Sequence, residues 1–418
     1  MFRTNSRGRA ALSVAPPKAA PHFAFLDGLR GLSALYVALY HALLFTGHGV
    51  ERETYSPAFA LLGGLLNFGP YAVAVFIVLS GFCLTLPVAK NPARTLRGGF
   101  RGYLGRRARR ILPPYYAALG LVLALIALVP VLQTPAGTAW DSKIPVSPEG
   151  LVSHLLLVHN LHPGWMFEID GPMWSVATEW QLYFLFPLLL ALWRRFGLAA
   201  CVGLALAASL VPQALLPSQL SFRWLHPWFF GLFAFGMAGA VVAFSPAPFW
   251  TGMRSRLPWR ALAYGSAVAA AGVLVGSHVA WGLPTYLTET VLGLTVAAGL
   301  VYYTLLETRP GPRPAAPSPL RRLLNARAVV GLGAFSYSLY LLHSPLLGLF
   351  NLLTLSWPLA SDLRLVLMLG VALPLAVLAS YGFYQVAERP FTVPNRTPTG
   401  AAPPNRTPSG ARPLPVPR

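Results

Sequence analysis

The chain has 418 residues, of which 55% are hydrophobic and only 11% are charged, whereas a typical soluble domain is about 25% charged. This composition excludes an ordinary soluble protein and predicts an all-α, polytopic integral membrane protein. The formal net charge of +20 does not indicate nucleic-acid binding, because the basic residues lie in short loops between apolar segments, where positive-inside topology explains them.

The predicted membrane spans are apolar runs of about eighteen residues or more. Basic clusters lie in alternate loops and most acidic residues lie in the others, so both termini are predicted to be cytoplasmic. One apolar run, 151–161, is too short to cross and is predicted to be a half-helix or surface segment on the outer side. The ten predicted spans are 24–45, 70–89, 112–132, 173–193, 197–216, 226–244, 260–281, 283–305, 330–352 and 363–387.

The two ends of the chain differ from its membrane domain in composition. Residues 1–22 are basic and Pro-rich, with no evident signal peptide. Residues 392–418 are rich in Pro, Gly and Arg and contain a short repeat, "NRTPTG" followed by "NRTPSG". Such segments cannot build an apolar core. We therefore expect two disordered tails around a membrane domain at 23–391.

The first span carries three ionisable residues, Asp27, Arg30 and His41. Arg30 and His41 are eleven residues apart, which puts them on one helix face about 16 Å apart along the axis. Asp27 precedes Arg30 by three residues and is within reach of an ion pair. Because a charge at bilayer depth is costly, this polar stripe is predicted to face an internal cavity.

Two further spans add polar groups to the predicted interior. Ser175, Glu179 and Tyr183 follow one another at i+4 steps on one face of the fourth span. Ser336, Tyr340 and His343 share a face of the ninth span. With the first span, three separate helices thus bring His, Glu, Tyr and Ser side chains together, which indicates a reaction site or a translocation site.

Simpler interpretations stay open for each of these groups. His41 alone could be a hydrogen-bonded packing residue, Arg30 an interfacial anchor and Glu179 a structural partner for an arginine. The basic run from Arg106 could serve only to set topology. His154, His159 and His162 resemble a metal site, but their irregular spacing and the lack of acidic or thiol companions disfavour one, and no metal is expected.

Six motifs, in chain order, resemble those of the integral-membrane acyltransferase family 3, the bacterial O-acyltransferases of surface glycans and related acceptors. The resemblance covers about 23–391 and includes the spacing of Arg, ten residues and His that is seen in Arg30 and His41. The motifs are "LDGLRGLSALYVALYH" (26–41), "VAVFIVLSGFCLT" (73–85), "RRARRILPPYY" (106–116), "MWSVATEWQLYFLFP" (173–187), "SYSLYLLHSP" (336–345) and "YQVAERPF" (384–391).

The resemblance implies a membrane O-acyltransferase of the bacterial inner (plasma) membrane. It would transfer an acyl group, with acetyl expected, from cytoplasmic acyl-CoA to a hydroxyl of an extracytoplasmic glycan, glycolipid or related acceptor, and so take part in carbohydrate modification at the cell envelope. No bound cofactor is expected, because acyl-CoA is a substrate. The expected partners are acyl-CoA, the acceptor and membrane lipids.

The same resemblance implies roles for individual residues. His41 would be the base or the acyl carrier, Glu179 would orient or charge-balance a histidine or arginine, and Arg30 would extend a positive path into the membrane. Arginine forks can bind the CoA phosphates bidentately; the expected donor-binding residues are Arg106, Arg107, Arg109 and Arg110. The expected supporting residues are Asp27, Trp174, Ser175, Tyr183, Ser336, Tyr340 and His343.

A transporter or flippase of a lipid-linked or small anionic substrate is the alternative function. Intramembrane Arg, His and Glu side chains could form a substrate pathway in such a protein. Turnover distinguishes the two functions, because only the enzyme releases CoA. A purely structural scaffold is disfavoured, since it gives no reason for aligned buried charges.

Overall fold

The computed structural model describes residues 23–47, 55–217, 220–308 and 318–392. Within these ranges the regular structure is helical throughout, which confirms the predicted all-α class. The predicted disordered tails, 1–22 and 392–418, lie outside the described residues except for Thr392. That residue ends the last helix and does not belong to a tail.

Seventeen α-helices follow one another along the described chain, and several are joined end to end by a single turn. Their bounds are α1 Ala24–Gly47, α2 Pro57–Leu66, α3 Tyr71–Ala89, α4 Gly99–Leu128, α5 Pro148–Leu155, α6 Met173–Phe196, α7 Leu198–Leu215, α8 Phe229–Phe244, α9 Pro248–Arg256, α10 Trp259–Gly276, α11 Thr285–Thr308, α12 Pro319–Leu324, α13 Arg327–Ala334, α14 Ser336–Thr354, α15 Ser361–Leu367, α16 Leu373–Phe383 and α17 Arg389–Thr392.

Nine helical stretches of the described chain are long and apolar enough to cross a membrane. They correspond to nine of the ten predicted spans, so the protein is a multi-pass membrane protein. The remaining span, 330–352, is divided at Phe335 into α13 and α14. Its Ser, Tyr, His and Asn side chains interrupt the apolar run of α14, and most of α14 is buried in the bundle.

The two ends of the bundle differ in what they carry. At one end α1 begins, α3 ends and α4 begins, and the first half of α4 carries the basic run from Arg106; we call this the arginine end. At the other end, called the loop end, residues 129–172 connect α4 to α6 through short helices. The predicted short segment 151–161 forms part of α5 and the turn His159–Leu161, which confirms that it does not span the bundle.

Close backbone contact fixes the first turns of α1 against α12 and α13. A Cβ atom added to Gly28 would lie 1.9 Å from the carbonyl oxygen of Leu324, and one added to Gly333 would lie 2.0 Å from that of Asp27. Only glycine allows the helices to approach this closely. The contact sets the position of Asp27 and therefore of the polar stripe that begins with it.

Candidate functional site

Two cavities lie one above the other inside the bundle. The cavity near the arginine end, called the arginine cavity, has a volume of about 110 Å³, and the cavity near the loop end, called the loop cavity, about 570 Å³. Val73 of α3 and Tyr340 of α14 contribute to the walls of both. The two cavities therefore meet at these residues, and together they extend along the polar face of α1.

Most of the polar residues that the sequence analysis selects as site residues line the arginine cavity. Its wall is formed by α1, α3, α4, α6 and α14, which explains why residues far apart in the chain come together there. Its charged and polar lining residues are Arg30, Ser80, Cys83, Arg107, Arg110, Ser175, Glu179, Tyr183, Ser336, Tyr337 and Tyr340.

Arg30 is held in the arginine cavity from two sides. Its Nη1 lies 3.1 Å from Oδ1 of Asp27, which is the ion pair that the i+3 spacing predicts. Its Nη2 donates to Sγ of Cys83 at 3.1 Å. These contacts fix the guanidinium group on the cavity wall, where it faces the centre of the bundle.

Glu179 supplies negative charge to the same cavity. The hydroxyl of Tyr183, one turn further along α6, donates to its Oε1 at 2.7 Å, as the i+4 spacing predicts. The carboxylate thus faces a cavity that three guanidinium groups also line. It balances part of their charge and leaves the cavity positive.

The structure divides the basic run at the start of α4 into two pairs. Arg107 and Arg110 line the arginine cavity. Arg106 instead donates to the backbone carbonyl of Arg97 at 2.7 Å, and neither it nor Arg109 lines the cavity. The sequence run therefore contains two arginines suited to bind a ligand in the cavity and two that lie away from it.

His41 lines the loop cavity and contacts His343 of α14. Nδ1 of His343 lies 2.9 Å from the carbonyl oxygen of Leu339, so this nitrogen carries the proton and Nε2 is an acceptor. That Nε2 lies 3.2 Å from Nδ1 of His41, which also lies 2.9 Å from the carbonyl of Val37. Nδ1 of His41 is therefore protonated, which leaves its Nε2 with a free lone pair.

The boundary between the two cavities is a hydrogen bond between α6 and α14. The hydroxyl groups of Ser175 and Tyr340 lie 2.6 Å apart, and Tyr340 forms part of both cavity walls. Trp174, the residue before Ser175, lines the loop cavity and stacks on His226 with ring centroids 4.5 Å apart. Ser175 and Tyr340 thus lie between Glu179 on one side and His41 on the other.

The first turn of α14 is held by a buried carboxylate that the sequence analysis does not select as a site residue. Glu388, between α16 and α17, accepts hydrogen bonds from the backbone N and the Oγ of Ser338, at 3.0 and 2.6 Å. Ser336 donates to the carbonyl of Gly333 at 3.0 Å. These contacts position the helix that carries Tyr340. Glu388 belongs to the last of the six motifs, which is the signal that could have identified it.

A charged pair at the loop end is a second feature that the sequence analysis misses. Lys143 lines the loop cavity, is 6% exposed, and donates from Nζ to Oγ of Ser142 at 2.7 Å. Asp170, just before α6, is completely buried, and its carboxylate has no hydrogen-bond partner among the described residues. Burial raises the pKa of Asp170 to about 7 and lowers the pKa of Lys143 to about 8.

The histidines of the α5 region stack on each other. The rings of His154 and His159 are parallel within 8° and have centroids 3.8 Å apart. Both side chains are fully buried. In the ranges that the structure describes, no three His, Cys, Asp or Glu side chains gather as metal ligands.

Comparison with known proteins identifies relatives with acyltransferase names. The chain is 26% identical over 343 residues to acyltransferase MdmB of Streptomyces mycarofaciens. This match covers 76% of this chain and 77% of the relative. It is 27% identical over 400 residues to the putative membrane-bound transacylase BcsY of Komagataeibacter xylinus. This match covers 90% of this chain and 85% of the relative.

A relative from Bacillus matches the chain over a shorter region. The putative peptidoglycan O-acetyltransferase YrhL of Bacillus subtilis (strain 168) is 27% identical over 201 residues, which is 46% of this chain and 28% of that protein. No solved structure matches the chain significantly.

The family model described as an acyltransferase domain matches residues 23–385. This match begins just before α1 and ends within the turn that joins α16 to α17, so it includes every helix that lines the two cavities. The chain therefore belongs to acyltransferase family 3 and is a membrane enzyme that transfers acyl groups.

Proposed function

We propose that the protein is an O-acyltransferase that takes an acyl group, expected to be acetyl, from acyl-CoA in the arginine cavity and transfers it to an acceptor hydroxyl in the loop cavity. One observation carries the proposal: the two cavities share the walls formed by Val73 and Tyr340. A donor that enters at the arginine end and an acceptor that enters at the loop end would therefore approach the same two residues from opposite sides.

The positive charge of the arginine cavity supports acyl-CoA as the donor that binds there. Arg107 and Arg110 present guanidinium groups near the arginine end, and Arg30 continues the positive charge deeper into the bundle. Guanidinium groups bind phosphate with strong, charge-assisted hydrogen bonds. The CoA phosphates bind at the mouth of this cavity, and the pantetheine arm extends inward with its thioester towards Tyr340.

The tautomers of the two histidines support a role for His41 as the base or the acyl carrier. The free Nε2 of His41 accepts the proton of the acceptor hydroxyl, whose oxygen attacks the thioester carbonyl carbon. The C–O bond forms, the C–S bond breaks, and the CoA thiolate takes the proton from His41. In the two-step variant of this reaction, the same Nε2 carries the acyl group before the acceptor attacks.

The distribution of charge supports an orientation in the membrane. The arginine end faces the cytoplasm, where acyl-CoA is available, and the loop end faces outward in a bacterial inner membrane. Both termini are then cytoplasmic. The name of the Bacillus relative, a putative peptidoglycan O-acetyltransferase, supports a glycan or glycan-linked lipid as the acceptor.

Turnover of radiolabelled acetyl-CoA by membrane vesicles that contain the protein tests the proposal. We expect release of CoA together with label in base-labile esters of the vesicle's own acceptors. Vesicles that lack the protein are the control. Uptake or flipping of a substrate without release of CoA would support the transporter alternative and contradict the proposal.

A further inference from the structure

The transfer reaction needs a group that stabilises negative charge next to His41. When the hydroxyl oxygen attacks the thioester, the carbonyl oxygen becomes an oxyanion, and hydrogen-bond donors fixed in position around it are usually the largest contribution to catalysis. None of the arginines expected to bind the donor lines the loop cavity, where His41 lies. The donor for the oxyanion therefore has to come from another residue.

We propose that Lys143 is a catalytic residue whose ammonium group binds the oxyanion formed in the loop cavity. This inference rests on the proposed acyl transfer and assigns it a residue that lies on none of the three polar helix faces. The ammonium group donates hydrogen bonds to the carbonyl oxygen as negative charge develops on it, and keeps its own protons throughout.

The bonding of Lys143 leaves donors available for this task. An ammonium group has three N–H donors, and Nζ has Ser142 Oγ as its hydrogen-bond partner. The remaining protons are available to the cavity that Lys143 and His41 both line. Among the described residues that line the loop cavity, Lys143 is the only lysine or arginine. It therefore supplies the fixed positive charge there.

The backbone and its neighbours hold Lys143 in place before the reaction begins. Its carbonyl accepts from the backbone N of Ile169 at 3.0 Å, and Nζ lies 5.8 Å from the centroid of the Phe167 ring. A Cβ atom on Gly171 would lie 2.9 Å from Nζ. The residue at that position is therefore small enough to let the ammonium group reach the cavity.

Asp170 provides the counter-charge to Lys143 without accepting a hydrogen bond from its ammonium group. No ion pair within 4.0 Å joins the two side chains in the described part of the chain, but Asp170 raises the pKa of Lys143 against the larger effect of burial. The resulting pKa of about 8 keeps the amine protonated at neutral pH. The other titratable groups that line the cavity with Lys143 are Tyr40, His41, Asp141, His226 and Tyr340.

Substitution of Lys143 tests the proposal in vesicles in which the wild-type protein transfers acetyl groups. At saturating acetyl-CoA we expect Lys143→Met to lower the rate about 100-fold or more, and Lys143→Arg to retain much of it. Lys90→Met is the matched control, because it removes the same charge at the arginine end, where Lys90 follows α3. If wild-type vesicles transfer no acetyl group, the proposed function itself fails.

A double variant separates catalysis from simple neutralisation of Asp170. If Lys143 serves only to balance that buried carboxylate, Lys143→Met combined with Asp170→Asn should restore both thermal stability and the transfer rate. We expect the double variant to regain stability but to stay slow. A rapid double variant would overturn the proposal, and so would a Lys143→Met protein that folds and keeps the wild-type rate.

The pH profile gives a readout that does not depend on folding of a charge-deleted variant. In the wild type we expect the rate to fall as the pH rises through about 8, where Lys143 loses its proton. In Lys143→Arg this alkaline decline should move to higher pH, since arginine stays protonated. An alkaline decline that is unchanged in Lys143→Arg would contradict the assignment.

Discussion

Nε2 of His343 lies 3.2 Å from Nδ1 of His41, although the two residues are 302 positions apart in the chain. The contact joins α14 to α1, and the backbone carbonyls of Leu339 and Val37 define the tautomers of the two imidazoles. His343 accepts at Nε2 because its Nδ1 donates to a backbone carbonyl. His41 in turn directs its basic nitrogen away from this contact. A proton acceptor is thereby fixed at the wall of the loop cavity.

His41→Ala tests the central residue of this arrangement. We expect the rate of acetyl transfer to fall about 100-fold or more, because the variant lacks the nitrogen that we propose as the general base or acyl carrier. Membrane insertion and binding of acetyl-CoA should be unchanged. Near-normal product from a correctly inserted variant would remove His41 from the mechanism.

His343 is expected to act through His41. His343→Ala removes one of the two acceptors that face Nδ1 of His41 and with it the contact that holds the ring in position. We therefore expect the maximal rate to fall about 10- to 100-fold while KM for acetyl-CoA stays the same. In His343→Gln the amide oxygen can accept from Nδ1 of His41, and part of the rate should return. Equal losses in the Ala and Gln variants would argue against a positioning role.

The arrangement of α4 predicts different effects from two arginine pairs. Replacing Arg107 and Arg110 by Ala removes two of the three guanidinium groups that line the arginine cavity, and we expect KM for acetyl-CoA to rise at least about tenfold at low salt. This loss should shrink at high ionic strength, since phosphate contacts are screened. Replacing Arg106 and Arg109 by Ala removes the same charge outside the cavity and is the matched control.

Equal effects of the two arginine pairs would contradict a specific donor site. Unchanged KM in both double variants would leave the basic run with the topological role that its composition alone suggests. Binding of acetyl-CoA to detergent-solubilised protein, measured at several salt concentrations, provides the comparison independently of turnover.

Local spacing allowed much of the site to be predicted from the sequence. The ion pair of Asp27 with Arg30 and the hydrogen bond of Tyr183 to Glu179 follow from i+3 and i+4 neighbours on one helix. A polar stripe on an apolar helix also has to face an interior. These rules operate within one helix, so they predict these contacts without knowledge of the fold.

Tertiary contacts account for what the sequence did not predict. The division of the basic run depends on which side of α4 faces the cavity, and the sequence of the run does not indicate that side. Lys143 and Asp170 lie in the connection between α4 and α6, where no periodic pattern marks buried positions. The break at Phe335 follows from the packing of α13 across the first turns of α1.

The stacked histidines at the loop end predict acid sensitivity. Burial lowers the pKa of His159 to about 3 and also lowers that of His154, whereas an unfolded histidine titrates near 6.5. The unfolded state therefore takes up protons first as the pH falls below about 6.5. Each such group costs the folded state up to about 1.4 kcal/mol per pH unit.

His159→Phe isolates this contribution, because phenylalanine keeps a stacked ring that does not titrate. We expect the wild-type melting temperature in detergent to fall more steeply between pH 7.5 and pH 5 than that of the variant. Histidines elsewhere in the bundle affect both proteins alike, so the difference reports on His159. Parallel pH curves for the two proteins would show that the stacked pair does not destabilise the fold in acid.

Cysteine labelling tests the sidedness that the mechanism needs. Thr95, between α3 and α4, and Glu149, in α5, are both exposed and belong to opposite ends of the bundle. The proposed orientation puts the arginine end in the cytoplasm, so we expect an impermeant thiol reagent to label Glu149→Cys in intact cells and Thr95→Cys only after the cells are opened. The wild type, with Cys83 half-buried and Cys201 buried, is the control. If both variants label from the same side, acyl-CoA and the outer acceptor cannot enter the cavities from opposite faces of the membrane.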